Sequence, residues 1–480
     1  MHTLKQFILL SMTALAGWFL LFGPRPGQAL PQDCVVVEYW EKWVGVEGAQ
    51  MQQIVDDFNR TVGRQKHIFV RYLPISNIDE KVMIATAAGV PPDIAGQWDA
   101  ETVQFAHLGA YRPLDDLAAA HGITAETYLP IYWNACHYNG HLWTLVSTPA
   151  AVALHFNKKI FRDNAAALRR AGCDPDRPPQ TIDQLDRYAA ALDVADSAGH
   201  IERFGYLPME PGWYVHFTPY WFGGELFDEK TQRFTFDRPE NIAAYKWIQS
   251  YSKRLGREAM VESHDASQAW DTPQNPFLTG SLVMEQQGPW MANYIYNLLH
   301  KTPWAPSMSE ALVPRDREWS LNDRRDNYDW AAAPFPSAVP GLKDVTVAPF
   351  DTFAIPAGAR HPNEAFEFMA YVTQQQVMEK LCSLQCKSSP LRKVSAGFLE
   401  HHPNPFIDVF DKLAASPNAH GCPKCPLWPE ASKELRDAAQ AVAMLDKEPK
   451  QALEEAQQQI EAKWERQQAI DRARAAMSQQ

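Results

Sequence analysis

Pro276-Phe277-Leu278-Thr279-Gly280-Ser281-Leu282-Val283-Met284-Glu285-Gln286-Gln287-Gly288-Pro289-Trp290 is the stretch that decides the fold. It reads as a loop closed by Gly280, a short apolar strand from Ser281 to Glu285, and a Gly288-Pro289 turn that presents Trp290. Glycines permit the positive φ of tight turns, and proline suits the first position of a turn or helix. A helix from Ala292 to Leu299 follows. Strand, turn, aromatic and helix recur in this order in many α/β proteins, so the weight of the stretch comes from its surroundings.

Upstream, Cys34 to Tyr39 is a continuous apolar run with three valines, the pattern of a buried parallel strand. From Gly48 the positions Met51, Ile54, Val55 and Phe58 follow helical spacing. His67 to Leu73 returns as a strand, Ile78 to Ala88 as a helix stopped by Gly89 and Pro91-Pro92, and Asp93-Ile94-Ala95 as a third strand. This βαβαβ order predicts a parallel sheet with right-handed crossovers, whose ligands sit at the carboxyl ends of the strands. Trp40, Glu41, Trp43, Trp98 and Asp99 fall at those ends. Thr181 reads as the N-cap of a helix through Leu192, and Pro239 to Tyr251 as another helix. Thr302 to Asn327 reads as a Pro- and Arg-rich surface insert, and Glu430 to Ala475 as two helices.

A chain of 480 residues exceeds one ordinary core, so two lobes are expected. A net charge of −12 without basic runs argues against nucleic-acid and anionic-membrane partners. At the N-terminus stand Lys5, an apolar run from Phe7 to Phe22, and Gly27-Gln28-Ala29, the three regions of a secretory signal. Cleavage after Ala29 is favoured over an uncleaved anchor, giving an exported, soluble protein.

The order of segments then resembles a family, the extracytoplasmic solute-binding proteins of ABC importers, in the sugar-binding branch that includes maltose-binding protein (family 1). The landmarks are Val90-Pro91-Pro92-Asp93-Ile94, Tyr138-Asn139-Gly140-His141-Leu142-Trp143, His155-Phe156-Asn157-Lys158-Lys159, Thr181-Ile182-Asp183-Gln184-Leu185 and Phe222-Gly223-Gly224-Glu225-Leu226-Phe227. The opening stretch and Asn363-Glu364-Ala365-Phe366-Glu367-Phe368 complete the series. The resemblance implies an α/β, two-lobed periplasmic-binding-protein fold (type II) with hinge segments and a ligand between the lobes. By it, the chain crosses near Leu145, returns near Met284 and crosses again near Val347. One lobe then comprises 34–145 with 285–346, and the other 146–284 with 347–480. It further implies a monomer that hands a carbohydrate to ABC transporter membrane subunits, with no cofactor and no turnover. The Thr302–Asn327 insert, the cysteines after 382 and Ser147-Thr148-Pro149 depart from the family pattern.

A sugar ring offers apolar C–H faces and a rim of hydroxyls, so its site needs flat aromatic surface beside carboxylates. Candidates by placement are Trp40, Glu41, Trp98, Asp99, Trp213, Tyr214, Trp290, Asp351 and Trp428. Among these the resemblance matches Trp98, Trp213, Tyr214, Trp290 and Trp428 to the cleft. Trp143, Trp221, Trp247 and Trp330 read as structural. Seven cysteines include the spacings Cys382…Cys386 and Cys422…Cys425. In an exported chain disulfides are favoured, with a four-thiolate zinc site as the alternative. Three other functions stay open: a non-sugar solute binder, a structural or metal-binding surface protein suggested by the cysteine pairs, and an exported glycoside-processing enzyme. No Gly-x-Ser-x-Gly, His-Glu-x-x-His or P-loop supports the latter.

Overall fold

The computed structural model describes residues 31, 33–261, 272–299 and 321–478. The expected signal segment lies outside the described residues, as does most of the 302–327 insert, whose end forms a helix, Leu321–Asn327. Among the described residues no helix is long and apolar enough to cross a membrane.

The chain begins with β1 (Val35–Glu41), β2 (Ile68–Pro74) and β3 (Ile94–Trp98), all parallel, with β1 in the middle. The helix Gly45–Arg60 joins the first two, and buries Met51, Ile54, Val55 and Phe58 as their spacing predicts. A short hairpin, β4 (His137–Tyr138) and β5 (His141–Leu142), precedes β6 (Thr144–Pro149). The chain then leaves this lobe through Ala150–Val152.

The second lobe holds β7 (Ala153–Asn157), β8 (Val194–Ala195), β9 (Ile201–Tyr206), the hairpin β10 (Phe227–Asp228) and β11 (Arg233–Phe234), then β12 (Leu282–Gln287) and β13 (Trp330–Ala333). The return passes through β14 (Thr346–Val347) into β15 (Phe350–Ala354), and a last crossing carries β16 (Ala419–His420). Two five-stranded sheets result, ordered β2-β1-β3-β15-β6 and β13-β7-β12-β9-β8. In the first, β15 runs against both neighbours; in the second, β7 runs against β12 and β13, and the edge strand β8 against β9.

The crossings are tied together. Val152 N donates to Val347 O at 3.1 Å, Thr346 Oγ1 donates to Val152 O at 2.9 Å, and Ala348 N donates to His420 O at 2.8 Å. Backbone groups buried between two lobes need such partners, so the crossings form one hydrogen-bonded hinge.

The lobe boundaries differ from those expected. The strand Leu282–Gln287 does not return to the first lobe; it is the central strand of the second sheet, bonded to β7 and β9. The described residues of 285–346 therefore stay with the second lobe. Conversely β15 and the helices Pro362–Thr373 and Gln375–Leu384 belong to the first, where Phe368 meets Tyr39 at 5.7 Å and Phe58 at 5.3 Å. The terminal helices Trp428–Ala443 and Pro449–Ser478 pack on the second lobe against Pro239–Leu255. A buried strand has the same apolar pattern whichever sheet it joins, and only pairing assigns it.

The opening stretch is built largely as read. Asn275 caps a single turn, Pro276–Thr279, by accepting from Phe277 N and Leu278 N, and Gly280 closes it at φ 80°. Gly288 serves differently from the expectation. Its φ is not in the left-handed region; instead a Cβ there would lie 1.9 Å from the Trp290 ring. The glycine makes room for the indole to fold back over the turn.

Candidate functional site

Where the carboxyl ends of β1, β3, β9 and β12 converge, aromatic side chains from both lobes form a row. From the first lobe come Trp43, just after β1, and Trp98, the last residue of β3. From the second come Trp290, just after β12, and Trp213 with Tyr214 after β9. Trp290 lies 6.4 Å from the rings of Trp213 and of Tyr214. Two ammonium groups stand between the rings of the row. Lys42 Nζ sits 4.9 Å from the Trp43 centroid and 5.2 Å from Trp98, and Lys387 Nζ sits 4.7 Å from Trp43 and 6.0 Å from Trp290. Cations over indole faces are attracted by the ring quadrupole, more strongly when desolvated.

Asp351 holds the two lysines together. Its Oδ1 lies 2.9 Å from Lys42 Nζ and its Oδ2 2.9 Å from Lys387 Nζ, while Thr148 Oγ1 donates to Oδ2 at 2.8 Å. Pairing with Trp98 on one side and Thr148 on the other places Asp351 between β3 and β6 in the first sheet. Burial alone would raise its pKa, but Lys387 and Lys42 outweigh this and hold it at about 2. Burial would likewise depress both lysines; Asp351 with Glu47 keeps Lys387 above its ordinary value, and Asp351 with Glu41 does so for Lys42. Glu41 is raised to about 6 by burial, partly offset by Lys42.

The sequence candidates separate into three groups. Trp98, Trp213, Tyr214 and Trp290 are brought together, and Trp98 has the open ring, 47% exposed. Asp99 and Glu101 stand beside them; burial raises Asp99 to about 7 and Glu101, with Asp79 nearby, to about 8. Glu41 and Asp351 are at the site but committed: Glu41 lies over Gly96, accepting from Tyr39 Oη and pairing with Lys42, and Asp351 is clamped as described. Both carboxylates already carry protein partners, which a ligand hydroxyl would have to share.

Trp40 and Trp428 lie outside the ring contacts of the row. Trp40 packs against the separate cluster of Ile78, Phe105 and Tyr111, away from the row. Trp428 is 1% exposed and stacks on Phe217 at 5.6 Å, a core role at the start of its helix.

Sequence reasoning missed Lys42, Lys387 and Glu285. Lysines flanking a strand end or a turn are ordinary surface residues by pattern, and nothing local reveals that folding desolvates them. Glu285 is buried opposite His155 in the second sheet, and its carboxyl is raised to about 8 by burial and by Glu210. The cysteines are also corrected: none of the seven is joined in a disulfide. Cys382 lies on the helix Gln375–Leu384, near Lys387 and Asp411, whereas Cys422 lies beside Asp99. Among the described residues no group of three or more His, Cys, Asp or Glu could hold a metal.

The lobes touch on both sides of the row. Gln50 and Asn293 exchange side-chain hydrogen bonds at 3.0 and 3.2 Å, Tyr294 Oη donates to Glu47 at 3.2 Å, and Gln104 donates to Glu430. A polar cavity of about 330 Å³ opens along the seam between the hairpin residues His137–Gly140 and Glu229, Gln232 and Lys424.

Comparison with known proteins agrees with this architecture. The model of the family described as bacterial extracellular solute-binding protein matches residues 53–402. The maltotriose-binding protein of Pyrococcus abyssi (strain GE5 / Orsay) is 22% identical, over 73% of this chain and 65% of its own. The sn-glycerol-3-phosphate-binding periplasmic protein UgpB of Pectobacterium atrosepticum is 23% identical over 46% of this chain and 50% of its own. The chain thus spans about half to two thirds of these relatives. Among solved structures, CpMnBP1 with mannotriose bound superposes with a TM-score of 0.71 at 24% identity, covering 88% of this chain and 99% of that one. The sugar-binding protein MalE from Xanthomonas citri gives 0.68 at 18% identity, over 91% and 99%. These likenesses establish the two-lobed fold.

Proposed function

Because the chain belongs to the bacterial extracellular solute-binding protein family, we propose that it captures a carbohydrate between its lobes and delivers it to the membrane subunits of an ABC importer. The observation that carries the reading is the aromatic row across the lobe seam, open at Trp98 and flanked by Asp99 and Glu101. Indole faces take the C–H surface of a sugar, and the buried acids bond its hydroxyls. Contacts from both lobes favour a closed state when the ligand is present, since only that state offers both surfaces. The relatives and neighbours that bind maltotriose and mannotriose support the same ligand class.

The protein works after export, with the segment through Ala29 removed, and binds without turnover. A thermal-shift screen across mono- and oligosaccharides, polyols, peptides and polyamines tests the ligand class. A sugar should raise the melting temperature and be recovered intact; stabilisation by peptides or polyamines alone would overturn the reading.

A phosphorylated polyol is the second reading. The glycerol-phosphate-binding relatives and the two lysines at the site favour it.

A further inference from the structure

We infer that Asp351 sets the charge selectivity of the site, making it a receptor for uncharged sugars by occupying the two lysines that would otherwise draw an anion. The inference rests on the carbohydrate reading above and decides between the two readings there.

An ammonium has three N–H donors and no acceptor. For Lys42 those donors meet Glu41 Oε1 at 3.2 Å, Gln97 O at 3.0 Å and Asp351 Oδ1 at 2.9 Å. For Lys387 they meet Asp351 Oδ2 at 2.9 Å, Thr148 Oγ1 at 3.1 Å and Glu47 Oε1 at 3.3 Å. The Thr148 hydroxyl accepts from Lys387 and passes its own proton toward Asp351. Both lysines are therefore saturated by the protein, and their side chains are 5% and 3% exposed.

The formal charge of the cluster follows. Two ammonium groups face the three carboxylates Glu41, Glu47 and Asp351. A phosphate or carboxylate entering along the row would find no unused lysine N–H and would meet a cluster whose formal charge is already negative. Rejection of one ligand by unfavourable charge is as effective for specificity as attraction of another. A neutral sugar suffers no such repulsion. The lysines instead serve the rings, since each holds two indoles of the row at fixed separation.

Among the described residues Asp351 is the one carboxylate that pairs with both lysines, so its neutralisation uncovers both at once. Calorimetric titration of the full exported chain with maltotriose, mannotriose and sn-glycerol 3-phosphate, at low and high salt, tests this. The parent should reject sn-glycerol 3-phosphate. Asp351→Asn should bind it about tenfold or more tightly than the parent, in a salt-sensitive manner, as one charge-assisted hydrogen bond is gained. If that variant fails to fold, Glu47→Gln, which frees Lys387 alone, should show the same change to a smaller degree. Tight, salt-sensitive binding of sn-glycerol 3-phosphate by the parent would overturn the inference, as would folded variants whose anion affinity is unchanged. Failure of every neutral sugar to bind, with the anion rejected by the parent and accepted by Asp351→Asn, would sink the carbohydrate reading alone.

Discussion

The two faces of the cleft are built on different principles. On the first lobe, Trp43 and Trp98 are positioned by charge: Lys42, Asp351 and Lys387 form a buried ion chain whose ammonium groups lie over the rings. On the second lobe, Trp290 is positioned by packing, folded into the space that Gly288 leaves and set beside Trp213 and Tyr214. Its buried acid, Glu285, has neighbours that raise its pKa rather than lower it. The difference teaches which perturbation each face withstands. A charge-built face tolerates loss of apolar area but not of a charge partner; a packed face does the reverse.

The largest expected effects contrast the two kinds of support. Lys387→Ala leaves Asp351 and Glu47 short of a counter-charge in a buried setting and should cost about 3–5 kcal/mol of stability. Trp428→Ala, which opens a void beneath the second lobe's helices, should also cost about 3–5 kcal/mol, with ligand affinity little changed. Urea titration measures both, and a Lys387→Ala loss under 1 kcal/mol would remove the charge-built face from the comparison.

Gly288→Ala comes next. The added methyl collides with the Trp290 ring, so about 1–3 kcal/mol of stability should be lost as the indole is displaced. Affinity should fall with it, because the displaced ring is one the ligand needs. An intact affinity in a destabilised variant would make Trp290 a packing residue only.

Trp98→Ala should separate binding from folding. Its ring is 47% exposed, so the melting temperature should hold while binding weakens by about 1–3 kcal/mol. A large fall in melting temperature with unchanged affinity would refute the open-ring assignment.

The smallest effect is in pH. Glu285 has its native pKa raised from 4.5 to about 8, so the native state retains a proton that the unfolded state releases. Its contribution is present below the ordinary carboxylate range and is lost as pH rises toward 8, at about 1 kcal/mol per pH unit. Asp351, held at about 2, has the opposite sign: it contributes above the ordinary value of 3.8 and loses this as pH falls toward 2. Melting temperatures between pH 6 and 8 should fall less steeply for Glu285→Gln than for the parent. Equal slopes would show that the second lobe's acid is not protonated in the native state.

Much of this was legible in the chain itself. The helix Gly45–Arg60 follows from four apolar positions, the helix after Thr181 from its cap, where Gln184 N donates to Thr181 Oγ1, and the first three strands from their βαβαβ order. These are local effects, set by residues within a turn or two of one another. Trp98 follows from its position at a strand end, where an open α/β sheet places ligands, whereas Trp213, Tyr214 and Trp290 come from the family resemblance. Trp221, Trp247 and Trp330 are buried as their patterns suggest.

What tertiary structure alone decided was pairing across distance. The strand Leu282–Gln287 reads identically whether it returns to the first sheet or stays in the second, and its hydrogen bonds to Ala153–Asn157 settle the matter. Trp428 and Trp40 look like loop aromatics until helices and the sheet's far face enclose them. Lys42, Asp351 and Lys387 come from three separate segments, and no spacing rule links them. Local patterns report which face of an element is apolar; they carry no record of which distant charge folding will bring against it. In this protein that distant charge is Asp351, which engages both buried lysines.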